Sequence, residues 1–195
     1  MKNMLFIMNP KAGRTTLKNS LVDVLEVFCN NDYAVRTYLT KSADDAERIV
    51  QEEGANYDVI VCAGGDGTLG NTVTGYMKSG IRVPLGYIPC GSTNDFARSM
   101  DIPRETVEAA EMIVKAEPFS IDIGSLNDKN FVYVAAFGMF SDTSYATPQN
   151  MKNIFGHAAY VLQGIKSLAN VPSYKMKVTI DGDEQEGEFI FGMVS

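Results

Sequence analysis

Tyr57-Asp58-Val59-Ile60-Val61-Cys62-Ala63-Gly64-Gly65-Asp66-Gly67-Thr68 is the stretch that decides the fold. Tyr57–Cys62 reads as a buried parallel strand, because the run is apolar without alternation and ends on glycines. Thr68–Ser79 has a composition that can be helical, so the glycines mark a sharp strand-to-helix turn. Glycines at such a turn let backbone N–H groups approach phosphate oxygens, and the helix N-terminus adds a favourable dipole. Asp66 would itself repel a phosphate. A carboxylate there makes sense when it organises a metal ion or the network around one. The plainer reading is a tight turn with an Asp near the helix cap, and the pentapeptide alone leaves both open.

Working outward toward the N-terminus, Met4–Met8 reads as a strand, and Leu17, Leu21, Val24, Leu25 and Phe28 recur at helical spacing. Tyr33–Leu39 is a second strand with period-2 positions Val35, Thr37 and Leu39, and Ser42-Ala43-Asp44-Asp45 opens a helix to about Glu53. Toward the C-terminus, Val83–Ile88 is a fourth strand, Ser92–Met100 a short helix, and Pro103 opens another helix with Val107, Ala110 and Val114 on one face. This alternation predicts an α/β fold: a Rossmann-like, doubly wound parallel sheet over residues 1–120.

The pattern changes at Glu117-Pro118. Phe119–Leu126 and Phe131–Met139 read as strands joined by Asn127-Asp128-Lys129-Asn130, a helix is predicted over Asn153–Ala169, and Tyr174–Ile180 and Glu186–Val194 flank a turn at Asp181-Gly182-Asp183. Residues 121–195 are therefore expected to begin a second, mostly antiparallel β-rich domain. The stripe Ile154, Ala158, Leu162, Ile165 and Ala169 predicts core packing for its helix, with His157 beside it and no catalytic role.

Three loops fall at the carboxyl ends of strands, where open parallel sheets collect ligands. They are Asn9-Pro10-Lys11-Ala12-Gly13-Arg14, Gly64 through Gly70, and Pro89-Cys90-Gly91-Ser92-Thr93-Asn94-Asp95-Phe96-Ala97-Arg98; Thr40 closes strand two at the same edge. A cap explains one or two of the polar residues from Ser92 to Asn94, but not the whole run. Two overlapping patterns are weak. Gly65-Asp66-Gly67-Thr68-Leu69-Gly70 has dinucleotide spacing, but the next strand ends in Ile88-Pro89-Cys90 without the acidic residue a ribose needs. It also has P-loop spacing, with Asn71 where the Lys should be. In Ser120-Ile121-Asp122-Ile123, Asp122 alternates with apolar residues, and residue patterning alone favours a solvent-exposed side chain.

Composition narrows the partners. A net charge of −7 lacks the basic stripe that nucleic acid requires. No apolar run approaches the roughly 20 residues of a bilayer span, and the N-terminal apolar stretch is too short for a signal peptide. Three cysteines without ligand spacing read as reduced thiols of a cytoplasmic protein. Membrane contact, without a Lys/Arg cluster, is expected to be transient and peripheral. A homodimer is compatible with this organisation.

Asn9-Pro10-Lys11-Ala12-Gly13, Gly64-Gly65-Asp66-Gly67-Thr68 and Gly91-Ser92-Thr93-Asn94-Asp95-Phe96-Ala97-Arg98, in this order, resemble the bacterial branch of the diacylglycerol kinase family. Gly-Gly-Asp-Gly-Thr alone is shared with NAD kinases and phosphofructokinases; the Asn94-Asp95-Phe96-Ala97-Arg98 segment makes the likeness specific. The resemblance implies two domains with ATP between them, and phosphoryl transfer to a lipid hydroxyl, diacylglycerol by default. It implies nucleotide contacts from Asn9, Pro10, Lys11, Ala12, Gly13, Thr40, Gly64, Gly65, Asp66, Gly67, Thr68, Leu69, Gly70 and Ser92. It also implies a carboxylate network of Asp66, Asp95 and Asp122 coupled through water to Mg²⁺, which reverses the solvent-exposed reading of Asp122.

The sequence departs from the family pattern after Leu69, where such kinases commonly continue Asn-Glu and this chain has Gly70-Asn71. The family also carries a later Asp-Gly-Glu segment that supplies the general base, along with direct Mg²⁺ ligands, so the chain is expected to stop before them and to be inactive alone. Asp181-Gly182-Asp183-Glu184 resembles that segment superficially, but its place in the first hairpin of domain two makes it a polar turn. An NAD kinase-like enzyme and a non-catalytic nucleotide-binding regulatory module are the alternative readings.

Overall fold

Apolar residues facing both ways along the central strands require cover on both sides of the sheet, and the computed structural model supplies it. It describes residues 1–12, 16–127, 129–138 and 173–195. These form two compact units, Met1–Tyr133 and Val134–Ser195.

In the first unit β1 (Lys2–Met8), β2 (Tyr33–Leu39), β3 (Val59–Gly64) and β4 (Leu85–Pro89) make one parallel sheet in the order β2-β1-β3-β4. Met4, Phe6 and Met8 of β1 and Val59, Val61 and Ala63 of β3 face α1 (Thr16–Asn30) and α5 (Thr106–Lys115) through Leu17, Val24, Phe28, Ala109 and Ala110. The alternate residues Leu5, Ile7 and Ile60 face α2 (Asp45–Glu53) through Ala46, Ile49 and Val50. Farther along that face Cys62 and Tyr87 meet α3 (Asp66–Ser79) and α4 (Asp95–Ser99) through Leu69, Val73 and Ala97. Each large side chain buried this way contributes about 1.5–3 kcal/mol. Phe6 and Phe28 add an edge-to-face pair with ring centroids 5.7 Å apart.

The strand order places the sheet's reversal between β1 and β3. From β1 the chain steps outward to β2 across the α1 face, then returns across the α2 face to β3 on the other side. The register aligns the four exits: Met8 is level with Leu39 and Ala63, and Gly64 with Pro89. All four loops therefore begin along one edge, as a doubly wound sheet demands.

The hairpin of β5 (Gly124–Leu126) and β6 (Lys129–Phe131), expected to open the second domain, lies within the first unit. Asn130 donates its N–H to Thr74 Oγ1 at 3.2 Å, and Lys129 Nζ reaches Glu47 at 3.0 Å, so the hairpin is tied to α3 and α2. The strand predicted over Phe119–Leu126 shrinks to Gly124–Leu126. Residues 117–123 pair with no strand among the described residues, and Phe119 is 70% exposed. Phe131–Met139 likewise divides into β6 and β7 (Ala135–Gly138).

In the second unit β8 (Tyr174–Ile180) and β9 (Asp183–Phe189) form the expected antiparallel hairpin. Asp181 and Gly182 occupy its turn with φ of 52° and 97°, the left-handed conformation that suits two-residue hairpins. The strand predicted over Glu186–Val194 breaks at Ile190, and β10 (Phe191–Val194) pairs antiparallel with β7 instead. The helix predicted over Asn153–Ala169, with His157, lies outside the described residues. No described helix is long and apolar enough to cross a membrane.

Candidate functional site

β1 ends in a loop that holds itself. Asn9 Oδ1 accepts the Lys11 N–H at 3.0 Å, and the Ala12 N–H donates to Asn9 O at 3.1 Å. The amide of the same Asn9 donates to Thr68 Oγ1 at 3.0 Å, and the Asn9 N–H to Ala63 O at 2.9 Å. Asn9 thus spans the crevice between β1 and β3, where the strand order reverses. Gly13 lies outside the described residues.

β3 delivers Gly64 and Gly65, and α3 begins at Asp66 rather than at Thr68 as the sequence suggested. Gly65 is the N-cap residue, in an extended conformation and without a side chain to cap the helix. Gly64 is sterically required, since a Cβ there would lie 2.6 Å from the Thr68 side chain. At Gly67 and Gly70 an added Cβ would meet nothing within 4 Å. No described neighbour therefore explains glycine at either position.

β4 delivers the second glycine loop. A Cβ on Gly91 would come within 2.6 Å of Gly65 Cα, so the two loops touch through backbone atoms. Asn94 clasps this loop, accepting the Gly91 N–H through Oδ1 at 2.8 Å and donating Nδ2 to Gly91 O at 2.9 Å. That clasp holds Asn94 at φ 52° and delays the helix, so α4 starts at Asp95 instead of Ser92. Tyr87 places its hydroxyl 3.1 Å from Gly64 O and 3.4 Å from Asn94 Oδ1. Burial pushes the Tyr87 phenol above its ordinary range, with the charge of Asp66 adding to the effect, so the hydroxyl stays a proton donor. Thr93, Asn94, Ala97, Arg98, Ile102 and Arg104 help line a cavity of about 320 Å³.

At the end of β2, Thr40 is buried and its N–H bonds Met8 O at 2.9 Å. The following loop is held by Asp45 Oδ2, which accepts the Lys41 N–H at 2.6 Å and the Ser42 N–H at 3.1 Å; these bonds hold the Asp45 carboxyl below its ordinary range. Asn71 of α3 donates to Ala43 O at 2.7 Å and so pins this loop.

The three carboxylates stand differently. Asp66 Oδ1 accepts the Phe96 N–H at 3.4 Å, which brings the start of α3 against the first turn of α4 and Asp95. Asp122 is exposed on the irregular segment before β5, while its neighbour Ile123 packs toward Cys62, Leu69 and Tyr87. The side chains of Ser92, Asp95 and Asp122 make no hydrogen bond or ion pair among the described residues. Nor do the described residues include a group of three or more His, Cys, Asp or Glu placed to hold a metal ion directly.

Sequence reasoning missed Tyr87 and the loop contacts of Asn71 and Asp45. The signal for Tyr87 was a phenol inside an otherwise apolar strand, where a buried hydroxyl needs a partner.

Residues 3–126 match the diacylglycerol kinase catalytic domain. The chain is 35% identical over 197 residues to a diacylglycerol kinase of Bacillus subtilis (strain 168), covering all of this chain and 65% of that protein. It is 34% identical over 201 residues to a diacylglycerol kinase of Staphylococcus aureus (strain JH9), covering all of this chain and 63% of that protein. Among solved structures, a diacylglycerol kinase from Bacillus anthracis superposes with a TM-score of 0.80 at 29% identity, over 98% of this chain and 63% of its own. A putative diacylglycerol kinase from the same organism gives 0.83 at 30%, over 98% and 64%. The chain thus spans a little under two thirds of the length of these relatives. Glycine loops meeting along one edge of a doubly wound sheet, and a match running from β1 through β5, make this chain a member of the diacylglycerol kinase catalytic domain family.

Proposed function

We propose that this chain provides the nucleotide-binding part of an ATP-dependent lipid kinase, which transfers the γ-phosphoryl group of ATP to a lipid hydroxyl, with diacylglycerol as acceptor and phosphatidate as product. The observation that carries the reading is at the start of α3. An N-cap glycine leaves the helix without a side-chain cap, and a Cβ at Gly67 or Gly70 would meet nothing within 4 Å among the described residues. Phosphate oxygens fit such a place, since uncapped N–H groups and the helix dipole both favour negative charge.

Phosphoryl transfer needs positioning and charge compensation more than covalent chemistry from the protein. In this reading the Gly64–Gly70 loop cradles the phosphates, and the Asn9–Lys11 turn lies against it through Thr68. Thr40 and Ser92 border the nucleotide. Mg²⁺, when bound, neutralises phosphate charge. Asp66, Asp95 and Asp122 are the carboxylates that would support it through water. Contact with the lipid surface is transient. The chain spans less than two thirds of its relatives' length, so nucleotide binding is the direct test on it.

Calorimetric titration of the chain with Mg-ATP is expected to show binding that Asp66→Asn and Gly67→Val each weaken by about tenfold or more, a loss of ~1.4 kcal/mol or more. Circular dichroism should be unchanged in both. Wild-type affinity in both variants removes the phosphate-binding assignment.

A further inference from the structure

Tyr87, in the middle of the otherwise apolar β4, carries a polar hydroxyl and is only 4% exposed. Its ring packs with Phe96 at a centroid distance of 6.1 Å and with the Cys62, Leu69, Val73 and Ala97 cluster, which a Phe would do equally well. The hydroxyl is what needs a reason. Its single proton is shared between the two glycine loops, with Gly64 O at 3.1 Å the nearer acceptor and the Asn94 amide oxygen that fastens Gly91 the weaker one at 3.4 Å.

Gly64 O already accepts the Cys90 N–H at 2.7 Å. A carbonyl has two lone pairs, and Tyr87 occupies the second. Both donors come from the β4 side, so the Gly64 carbonyl is held toward β4. In a trans, planar peptide the following N–H points the opposite way. In the sheet order β1-β3-β4 that direction is toward β1, so the Gly65 N–H is aimed at the crevice that Asn9 and Thr68 close.

We infer that Tyr87 is a positioning residue: its hydroxyl locks the Gly64 peptide and the Gly91 turn into one unit, and so aims the first N–H of the phosphate-cradling loop. The consequence for nucleotide rests on the function proposed above; the coupling of the two loops does not.

Tyr87→Phe keeps the ring and removes only the hydroxyl. Two measurements on the chain test it. Amide hydrogen exchange is expected to speed up by about tenfold or more at Cys90 and Gly91, the order set by one lost hydrogen bond, with Phe6 and Val35 in β1 and β2 unchanged. Mg-ATP affinity is expected to fall by a similar factor. Phe28→Leu, which trims the core on the other sheet face, serves as the control for general loss of stability and should change neither. Exchange at Cys90 and Gly91 equal to wild type overturns the assignment whatever happens to ATP. Faster exchange with undiminished Mg-ATP affinity overturns the positioning role. If the wild-type chain binds no Mg-ATP, the functional reading fails, and the exchange rates alone decide whether Tyr87 couples the loops.

Discussion

Asn9 and Thr68 join across the reversal of the sheet, with the Asn9 amide 3.0 Å from the Thr68 hydroxyl. Thr68 is buried, and its side chain also fills the space where a Cβ on Gly64 would stand. One threonine thus fixes the loop after β1 and enforces glycine after β3. Thr68→Val keeps the shape and strands the Asn9 amide without its acceptor. The expected loss is about 1–2 kcal/mol in urea denaturation, with weaker Mg-ATP binding. An unchanged midpoint and affinity would show that the contact is incidental.

Two glycines of α3 should respond to alanine with opposite signs. At Gly75 a Cβ would sit 2.4 Å from Glu47 O, and because that atom is backbone of α2, the helices must separate. Gly75→Ala is expected to destabilise by about 1–3 kcal/mol or more. At Gly70 the same methyl meets nothing within 4 Å, and inside a helix it should stabilise by about 0.5–1 kcal/mol. If Gly70 faces phosphate, the stabilised variant nonetheless loses nucleotide affinity. Denaturation midpoints and calorimetry on both variants check the pair.

The sheet was legible because β1 and β3 are apolar without alternation and each ends at a turn, and Tyr33–Leu39 and Tyr174–Ile180 match their observed strands to the residue. The common edge of the loops followed from that alternation alone. The failures have local causes. Ser92 looked like a helix start, but Asn94 uses its side chain on Gly91 and takes a left-handed conformation that postpones the helix. Period-2 patterning at Phe119–Asp122 suggested a strand, yet a strand needs a neighbour, and none of the described residues supplies one. The Tyr87 hydroxyl was invisible because strand patterning counts its ring as apolar. Asn71 was noticed only as a departure, since its partner Ala43 lies 28 residues earlier.

The cysteines should separate by reactivity. Burial pushes the thiols of Cys62 and Cys90 up to about 12, while Cys29 is exposed. At pH 8 a thiol reagent is expected to modify one of the three cysteines in the folded chain and all three in urea. The raised folded-state pKa values also set a sign. As pH rises past about 9 the unfolded chain releases these protons first, so it holds fewer than the folded one and stability falls until about pH 12. Cys90→Ala removes one such group, and urea midpoints at pH 8 and 10 should draw closer together in that variant than in the wild type.

Asn71 offers a test of what the departure from the family pattern does. Its amide donates to Ala43 O at 2.7 Å and so holds the loop that follows Thr40, where Asp45 secures Lys41 and Ser42. The family pattern that the sequence resembles continues Asn-Glu after Leu69, which would set Glu at 71, and an ionised Glu there could not donate to that carbonyl. Asn71→Ala is expected to cost about 0.5–1.5 kcal/mol, the net worth of one hydrogen bond. Asn71→Glu should cost more at pH 7, because a carboxylate is set against a carbonyl oxygen. A protonated Glu can donate, so folding raises its pKa; the bond is fully available below the unfolded value near 4.3 and is lost as pH rises through the folded value. The stability gap between Asn71→Glu and Asn71→Ala should therefore close, or change sign, between pH 7 and pH 4 in urea denaturation. A gap that stays constant over that range would mean that residue 71 does not act through the Ala43 carbonyl, and that the loop after Thr40 is held by Asp45 alone.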